Sequence, residues 1–206
     1  MTNWSPREGK NVVAIVVDIR FSSEILDELA ARWASFDPYI EVVKEMERAI
    51  VSYTEYQRCL AYKFTGDGWI VFFDGDTDGP VLWGFMSRLS SCYATHSLGL
   101  LRHLRTPRPS RGLTFGVDNG SVKPLAMFGS PEYIGRTIVI ASRLQSRARD
   151  SSDDYAAYIS NTFFRDCFAA MPTLQCSDEL IYLKDGDNHR VPCKSVRVPA
   201  GPAGPA

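Results

Sequence analysis

The sequence predicts an α+β fold in which a central sheet that contains antiparallel strands is flanked by helices. A continuous β-branched run over residues 11–19 is typical of a fully buried central strand. Two pairs of short strand-like segments, each pair separated by residues that favour turns, predict two hairpins. Helical periodicity fills the intervening stretches, and the order strand, helices, hairpin, helix, hairpin, helix is that of a sheet covered by helices.

The first half of the chain contains the predicted central strand, two helices and the first hairpin. The strand ends at Asp18, a charge that follows an apolar run. Ser22 and the two residues after it predict a helix start, and helical periodicity continues to about Tyr56 with a break at Asp37-Pro38. Strands are predicted over 58–64 and 69–74, joined by a tight turn at 65–68.

The second half is predicted to alternate helices with short strands. Helices are predicted over 81–104, 135–147 and 161–170, and a strand over 155–159. The segments 113–117 and 122–128 flank Asp118-Asn119-Gly120, which predicts a second hairpin with its turn at those three residues. A terminal hairpin is predicted about residues 184–188.

Composition and charge are those of one ordinary globular domain. The chain has 206 residues, of which 45% are hydrophobic and 23% charged, and this excludes general disorder. We expect an N-terminal arm over 1–10, one domain over 11–198 and a disordered Pro/Gly/Ala tail over 199–206. With 23 basic and 24 acidic residues the net charge is −1, which argues against binding to nucleic acid or membranes through bulk charge.

Cysteine usage and the first residues predict a cytoplasmic protein. The five cysteines are an odd number without CxxC spacing, which favours reduced thiols over disulfides or a zinc site. Residues 1–10 are polar and lack the apolar stretch of a signal peptide. The longest apolar run, Val12–Val17, is too short to cross a bilayer, so no membrane partner is expected.

Two acidic residues are candidates for a cation site. Asp18 ends the predicted central strand, and Asp67 lies at the tip of the hairpin predicted to pair beside it, between Gly66 and Gly68. Two carboxylates at neighbouring strand ends can bind a hard cation that holds a triphosphate. An aspartate between two glycines is also typical of a turn residue with no further role, which is the alternative for Asp67. Asp18, in contrast, is a carboxylate at the end of a buried run and needs a partner. The segment from Arg20 leads into a helix N-terminus, whose free N–H groups suit phosphate.

Four segments together resemble the catalytic domain of class III nucleotidyl cyclases. They are Asp18-Ile19, Lys63–Gly68 (KFTGDG), Arg111–Val117 (RGLTFGV) and the helix that begins GRT and contains ASR at 141–143. The resemblance covers about residues 11 to 195 and implies a ferredoxin-like, palm-type domain. Because the chain is short and has no sensor domain, it is most similar to the stand-alone bacterial pyrimidine cyclases of Pycsar antiphage systems.

The resemblance implies a role for individual residues. Two Mg²⁺ or Mn²⁺ ions are expected on Asp18, the Ile19 carbonyl and Asp67, while Arg143 is expected to neutralise the phosphate under attack. Lys63 matches the family's base-contacting lysine. The expected substrate contacts are Arg20, Phe21, Ser22, Lys63, Glu132 and Tyr133. The family builds each site between two domains, which implies a homodimer with shared active sites.

Three departures from the family pattern bear on the substrate. The loop after Asp18 is one residue shorter than usual, Val139 replaces an Asn that touches the ribose, and Glu132 replaces an Asp that faces the base. Lys63 as donor and Glu132 as acceptor suit adenine and uracil equally. The longer Glu132 and an aromatic wall of Phe64, Tyr53 and Tyr133 favour a pyrimidine. We therefore expect UTP as substrate and cUMP as product, with adenylate or cytidylate cyclase as alternatives.

The resemblance also implies a role for the product, and two other classes of protein remain as alternatives. The cyclic nucleotide is expected to activate a downstream effector in antiviral defence, without direct contact between the two proteins. A catalytically dead nucleotide-binding module is one alternative, although it would not need both Asp18 and Asp67. An RNA-binding module is the other, but aromatic residues interleaved with a basic surface are not evident.

Overall fold

The structure is a computed structural model that describes residues 9–33, 35–56, 59–105, 112–127, 130–171, 174–182 and 190–200. Eight strands and five helices lie in this part of the chain. In chain order they are β1 Lys10–Ile19, α1 Ser22–Trp33, α2 Asp37–Tyr56, β2 Cys59–Phe64, β3 Gly68–Asp74, α3 Gly79–Leu101, β4 Leu113–Met127, β5 Ser130–Ile134, α4 Arg136–Ala148, β6 Ala156–Ser160, α5 Asn161–Cys167, β7 Cys176–Tyr182 and β8 Arg190–Arg197.

The sheet is mixed, with β1 near its centre. Seven strands follow the order β2-β3-β1-β4-β6-β8-β7, and the eighth, β5, pairs with β4 outside this order. β1 is antiparallel to both β3 and β4, whereas β4 and β6 run parallel. The predicted α+β class and the predicted position of residues 11–19 are confirmed. A strand hydrogen-bonded on both edges and covered on both faces needs apolar side chains at every position, as residues 12–17 have.

The two faces of the sheet are covered by different elements. Val13, Ile15 and Val17 pack into the core formed with α1, α2 and α3. The alternate residues Val12, Ala14 and Val16 pack in the cluster that contains Ala141 of α4. Because side chains alternate along a strand, Asp18 is on the same face as Val16, the face that α4 covers.

Most of the predicted elements are confirmed. The break at Asp37-Pro38 separates α1 from α2, and the first hairpin is β2–β3 with its turn at residues 65–67. The predicted helix over 135–147 is α4, with Ala141, Leu144 and Gln145 buried against the sheet. The predicted helix over 161–170 is shorter, because α5 ends at Cys167.

The predicted second hairpin is wrong. Asp118, Asn119 and Gly120 do not form a turn, because they pair with Ala14, Val13 and Val12 inside the continuous strand β4. Pairing along the whole of β1 outweighs the local turn tendency of these three residues. β4 instead pairs with β5, a strand that the sequence analysis did not predict. The residues between them, 128–129, are not described.

Several other predictions fall outside the described residues. These are Arg111 of the RGLTFGV segment, the tip of the terminal hairpin at 183–189, the first eight residues of the arm and the last six of the tail. The strands of the terminal hairpin are described, and β7 and β8 are antiparallel. All five cysteines lie in the described part and are unpaired. None of the described helices is long and apolar enough to cross a membrane.

Candidate active site

The fold brings Asp18 and Asp67 together, as predicted. Asp18 pairs with Gly68 at the end of β1, and the Ile19 N–H donates to the Asp67 carbonyl at 3.2 Å. The turn needs its glycines: Gly66 has φ 107°, and a Cβ on Gly68 would lie 2.1 Å from the Val17 carbonyl oxygen. The glycines therefore let the hairpin tip approach β1 closely enough to place one carboxylate beside the other.

The environment of Asp18 disfavours an isolated negative charge. The residue is 5% exposed. Burial is the main cause that raises the pKa of Asp18 to about 7, and the neighbouring Asp67 raises it further, while Arg149 lowers it. Two adjacent carboxylates repel one another when both are ionised, so the pair is stabilised by a cation. A divalent ion bound between them would supply that charge.

Asp67 is fixed by the first residue of α1. The Ser22 hydroxyl donates to an Asp67 carboxylate oxygen at 2.7 Å. Phe21 precedes it with φ 58°, a left-handed conformation that is uncommon for a residue other than glycine. The shortened loop after Asp18 therefore makes its turn at Phe21. Ser22 therefore orients the Asp67 carboxylate. This contact is additional to the contact with substrate that is predicted for Ser22.

The residues present fit a Mg²⁺ or Mn²⁺ site. Asp18, Asp67 and the Ile19 main chain offer only oxygen ligands, which hard cations prefer. In the described residues no group of three or more His, Cys, Asp or Glu side chains is placed to hold a metal. Mg²⁺ is usually held by one or two carboxylates together with substrate phosphates, so two carboxylates suffice when a triphosphate supplies further oxygens.

Arg20 is buried in a structural role that differs from its predicted phosphate contact. Its guanidinium donates to three main-chain carbonyls, those of Asp153 at 2.5 Å, Arg149 at 2.6 Å and Ser151 at 2.7 Å. The residue is 4% exposed, and burial lowers the pKa of its guanidinium. Arg20 therefore holds the turn after α4 against the end of β1, and its side chain is not presented to a ligand.

Arg149 is a site residue that the sequence analysis missed. It directly follows α4, and its guanidinium donates to an Asp18 carboxylate oxygen at 2.6 Å. The two residues are 131 positions apart in the chain. Basic residues at the C-terminal end of a helix are common for reasons of the helix dipole alone, so no local pattern marks this one.

A small cleft adjoins these groups. Its volume is about 230 Å³, and it is lined by residues 19–24 together with Arg149. Phe21 and Ser22, two of the predicted substrate contacts, lie on its wall. The start of α1 and the cationic side chain that contacts Asp18 therefore line one opening.

The predicted base-contacting residues form a second group. The Lys63 Nζ atom lies 2.5 Å from both carboxylate oxygens of Glu132. Tyr133, next to Glu132 on β5, packs on Phe72 with ring centroids 4.8 Å apart. The donor and acceptor expected to face a base are thus neighbours, on the face of the sheet that α4 also covers.

Two of the three aromatic residues expected to narrow the base pocket lie elsewhere. The Tyr53 hydroxyl donates to the Val81 carbonyl at 2.5 Å, in the core between α2 and α3. Phe64 packs on Trp69, whose side chain is in the core on the other face of the sheet. The predicted wall is therefore wrong for Tyr53 and Phe64, and Tyr133, although next to Glu132 in β5, points to the opposite face of that strand.

Arg143 is not near the carboxylate pair in the same chain. It is exposed on α4 and has no hydrogen bond or ion pair with any described residue. Because a helix turns about 100° per residue, Arg143 lies about 200° around α4 from Ala141, which faces the sheet. Val139, one turn earlier, is also exposed. This face of α4 is turned away from the sheet.

Comparison with solved structures identifies the fold. The adenylyl cyclase CyaB from P. aeruginosa is similar over 92% of this chain and 94% of its own, with 20% identity and a TM-score of 0.58. The guanylyl cyclase Cya2 is 16% identical over 92% of both chains, with a TM-score of 0.57. An adenylate cyclase from Trypanosoma brucei, in its monomeric state, is 15% identical over 95% of this chain and 91% of its own, with a TM-score of 0.63.

At the level of sequence there is no such match. No protein-family model matches the chain, and no curated protein matches it. The structural similarity extends over almost the whole chain, so the fold is that of the palm-type domains of adenylyl and guanylyl cyclases, as the resemblance implied.

Proposed function

We propose that this protein is a nucleotidyl cyclase that converts a nucleoside triphosphate into the 3′,5′-cyclic nucleotide and diphosphate. The observation that carries the proposal is the carboxylate pair: Asp18 at the end of β1 and Asp67 at the tip of the β2–β3 hairpin, joined through Ile19. A binding module with the same fold would gain nothing from burying Asp18 beside a second acid.

The proposed reaction is an intramolecular displacement at phosphorus. The ribose 3′-oxygen forms a bond to the α-phosphorus, the bond from that phosphorus to the diphosphate oxygen breaks, and the hydroxyl proton leaves. Two bound divalent ions would lower the pKa of the 3′-hydroxyl and balance the charge of the triphosphate. Asp18, Asp67 and the Ile19 carbonyl would hold them, and Ser22 keeps Asp67 oriented.

We propose UTP as the substrate, with cUMP as the product. Lys63 as donor and Glu132 as acceptor complement O4 and N3–H of uracil, and the long Glu132 side chain leaves less room than an Asp would. The same polarity complements adenine, and Tyr53 and Phe64 do not contribute to the wall. ATP and CTP are therefore the competing substrates.

We propose that the active sites are shared in a homodimer. In one chain Asp18 and Asp67 form one group, Lys63 and Glu132 a second, and Arg143 contacts neither group. Leu125, Glu132 and Ile134 lie on one face of the β4–β5 hairpin, because Leu125 pairs with Glu132 and Ile134 is two residues further on. Leu125 is 45% and Ile134 64% exposed, as apolar side chains at an unfilled interface are. A second copy would cover them and bring its Arg143 to the phosphates.

We further propose that the cyclic nucleotide is a second messenger. It would activate an effector protein in antiviral defence through binding of the free product, with no contact between cyclase and effector. This part rests on the resemblance to stand-alone pyrimidine cyclases, and the identity of the product tests it first.

A competition experiment tests the proposed function. The protein is incubated with equimolar ATP, CTP, GTP and UTP and with Mn²⁺, and the products are identified by mass. We expect cUMP to dominate and Asp67→Asn to form none. If cAMP or cCMP is the main product, the protein is still a nucleotidyl cyclase, but UTP is rejected as its substrate. Nucleotide binding without any cyclic product would favour the catalytically dead module.

A further inference from the structure

The contact between Arg149 and Asp18 has an exposed and a buried partner. Their nitrogen and oxygen atoms are 2.6 Å apart, while the Arg149 side chain is 53% exposed and that of Asp18 is 8% exposed. A charge-assisted hydrogen bond to a buried carboxylate is stronger than one at the surface. Of the described basic side chains, Arg149 is the one in hydrogen-bond contact with this carboxylate.

The main chain of Arg149 is fixed, although its side chain reaches solvent. Its N–H donates to the Ser146 carbonyl at 3.3 Å, and its carbonyl accepts from Arg20 at 2.6 Å. Arg20 is in turn held by its own N–H, which donates to Gly112 at 3.0 Å. The guanidinium is thus tethered close to Asp18 by a rigid turn, while its flexible stem allows it to move aside.

A divalent ion and this guanidinium would both bind the Asp18 carboxylate. A cation at bonding distance from Asp18, about 2.1–2.5 Å, would meet a positive group that already approaches the oxygen to 2.6 Å. The two positive charges would repel one another over this short distance, because the metal would bind a carboxylate whose Oδ2 already accepts from Arg149. The 230 Å³ cleft lined by residues 19–24 is beside Arg149 and can receive the displaced side chain.

We infer that Arg149 is a resident counter-ion of Asp18 that a divalent cation must displace, so that this residue weakens the affinity of the site for metal. Arg20 acts with it as a positioning residue, since it holds the carbonyl of Arg149. The inference rests on the proposed function, which makes Asp18 and Asp67 the metal ligands.

The test measures Mn²⁺ binding to the full chain without nucleotide, from the electron paramagnetic resonance signal of free Mn²⁺. Arg149→Gln removes the competing charge, and we expect it to bind Mn²⁺ about 10-fold more tightly, equal to about 1.4 kcal/mol. Arg147→Gln is the matched control. It removes the same charge two residues away, where the guanidinium contacts Asp150 and Glu179 instead of Asp18. We expect that control to change the affinity less than 2-fold.

Thermal unfolding gives a second readout. In EDTA, Arg149→Gln is expected to melt below the parent chain because Asp18 loses its partner. Mn²⁺ should then raise its Tm by more than it raises that of the parent, since stabilisation by a ligand grows with its affinity. Arg149→Lys keeps the charge and should stay close to the parent in both measurements.

The outcomes separate this inference from the proposed function. If the parent binds Mn²⁺, Asp67→Asn loses it and Arg149→Gln binds as Arg147→Gln does, the metal site stands and the counter-ion role is rejected. If neither the parent nor Arg149→Gln binds Mn²⁺ at millimolar concentration, the counter-ion role is rejected, because removal of the guanidinium then does not expose a metal site, whereas the proposed function is decided separately by the competition experiment with triphosphates.

Discussion

At the scale of single residues, the two candidate metal ligands are held in different ways. Asp18 belongs to the central strand, and its position is set by pairing with β3 on one side and β4 on the other. Asp67 is in a turn, and the Ser22 hydroxyl orients its carboxylate. Changing Asp67 therefore alters chemistry with little effect on packing, whereas changing Asp18 affects the end of the core strand as well.

Asp67→Asn should abolish cyclisation and leave the fold intact. An amide is a poor ligand for a hard cation, while its oxygen still accepts from Ser22, so we expect a loss of at least 100-fold in turnover and a change in Tm of about 2 °C or less. Product formation at saturating Mn²⁺ and thermal melts measure the two effects. Asp27→Asn, at an exposed position of α1, is the control. Turnover unchanged by Asp67→Asn would reject the metal assignment.

Asp118 is a buried carboxylate that the proposed chemistry does not use. It is 7% exposed within β4. Burial raises its pKa, while Ser160, the Asn119 backbone and the charge of Arg136 lower it without cancelling the effect. A folded-state pKa above the unfolded value means that the folded protein holds this proton more tightly. The ionised form therefore costs stability at neutral pH, and the cost disappears as the pH falls below the unfolded value.

Asp118→Asn should stabilise the protein in a pH-dependent way. Asparagine has nearly the same shape and carries no charge, so we expect Tm at pH 7.5 to rise by about 2–4 °C, near 1 kcal/mol for a chain of this size. The gain should shrink as the pH is lowered through the folded-state pKa and vanish below the unfolded value of 3.8, because Asp118 is then protonated in both states. Melting curves of both proteins across this range test it, and an equal gain at every pH would contradict the assigned cause.

At the scale of elements, α4 packs very closely on β4. A Cβ on Gly116 of β4 would lie 1.9 Å from the Ala141 carbonyl oxygen and 2.3 Å from the Gln145 nitrogen. Gln145 also donates to the Thr114 hydroxyl at 2.8 Å, a buried contact. The glycine allows α4 to lie on the sheet, and α4 carries Arg143 on its outer face and Arg149 at its end.

Gly116→Ala should push α4 away from the sheet. A contact of 1.9 Å to main-chain atoms cannot be relieved by a side-chain rotation, so we expect a loss of about 2–3 kcal/mol in unfolding free energy, together with reduced turnover. Gly99→Ala is the matched control. Nothing lies within 4 Å of its Cβ position on α3, and helix propensity predicts a gain of up to about 1 kcal/mol. Urea denaturation measures both, and equal stability of the two variants would contradict the packing argument.

At the scale of the whole molecule, the candidate site is distributed over separate surfaces of one chain. The Asp18–Asp67 pair and the Lys63–Glu132 pair lie at different places on the face of the sheet that α4 covers. Arg143 lies on the outer surface of α4. A symmetric dimer is the simplest assembly that brings such surfaces together, because each copy then supplies residues that are missing from the site of the other copy.

Complementation between two inactive variants tests the shared site. Asp18→Asn and Arg143→Ala should each be inactive alone. When mixed and allowed to exchange, about half of the dimers are heterodimers, and each has one site with both defects and one with none, so about a quarter of the parent activity should return. Cyclic nucleotide formation after mixing measures it. Activity that stays near zero, with exchange confirmed by differential tags, would reject the shared site and the role of Arg143.

The sequence by itself determined the central strand, the first hairpin and the meeting of Asp18 with Asp67. A continuous apolar run is stable only when it is buried, and glycines on both sides of an aspartate leave a tight turn as the favoured conformation. These are local properties. They predict which residues lie at the strand ends without knowledge of the partners.

Only the tertiary structure decided the rest. Asp118-Asn119-Gly120 favours a turn locally but lies in β4, because hydrogen bonds to β1 along its whole length are worth more than one local turn. Arg20 was expected to contact the substrate, and no sequence pattern pointed to Arg149. Their partners are more than 125 residues away in the chain, so burial of one and placement of the other beside Asp18 depend on how β1 and the turn after α4 pack. Contacts between residues so far apart in the chain produce no recognisable periodicity or motif spacing in the sequence.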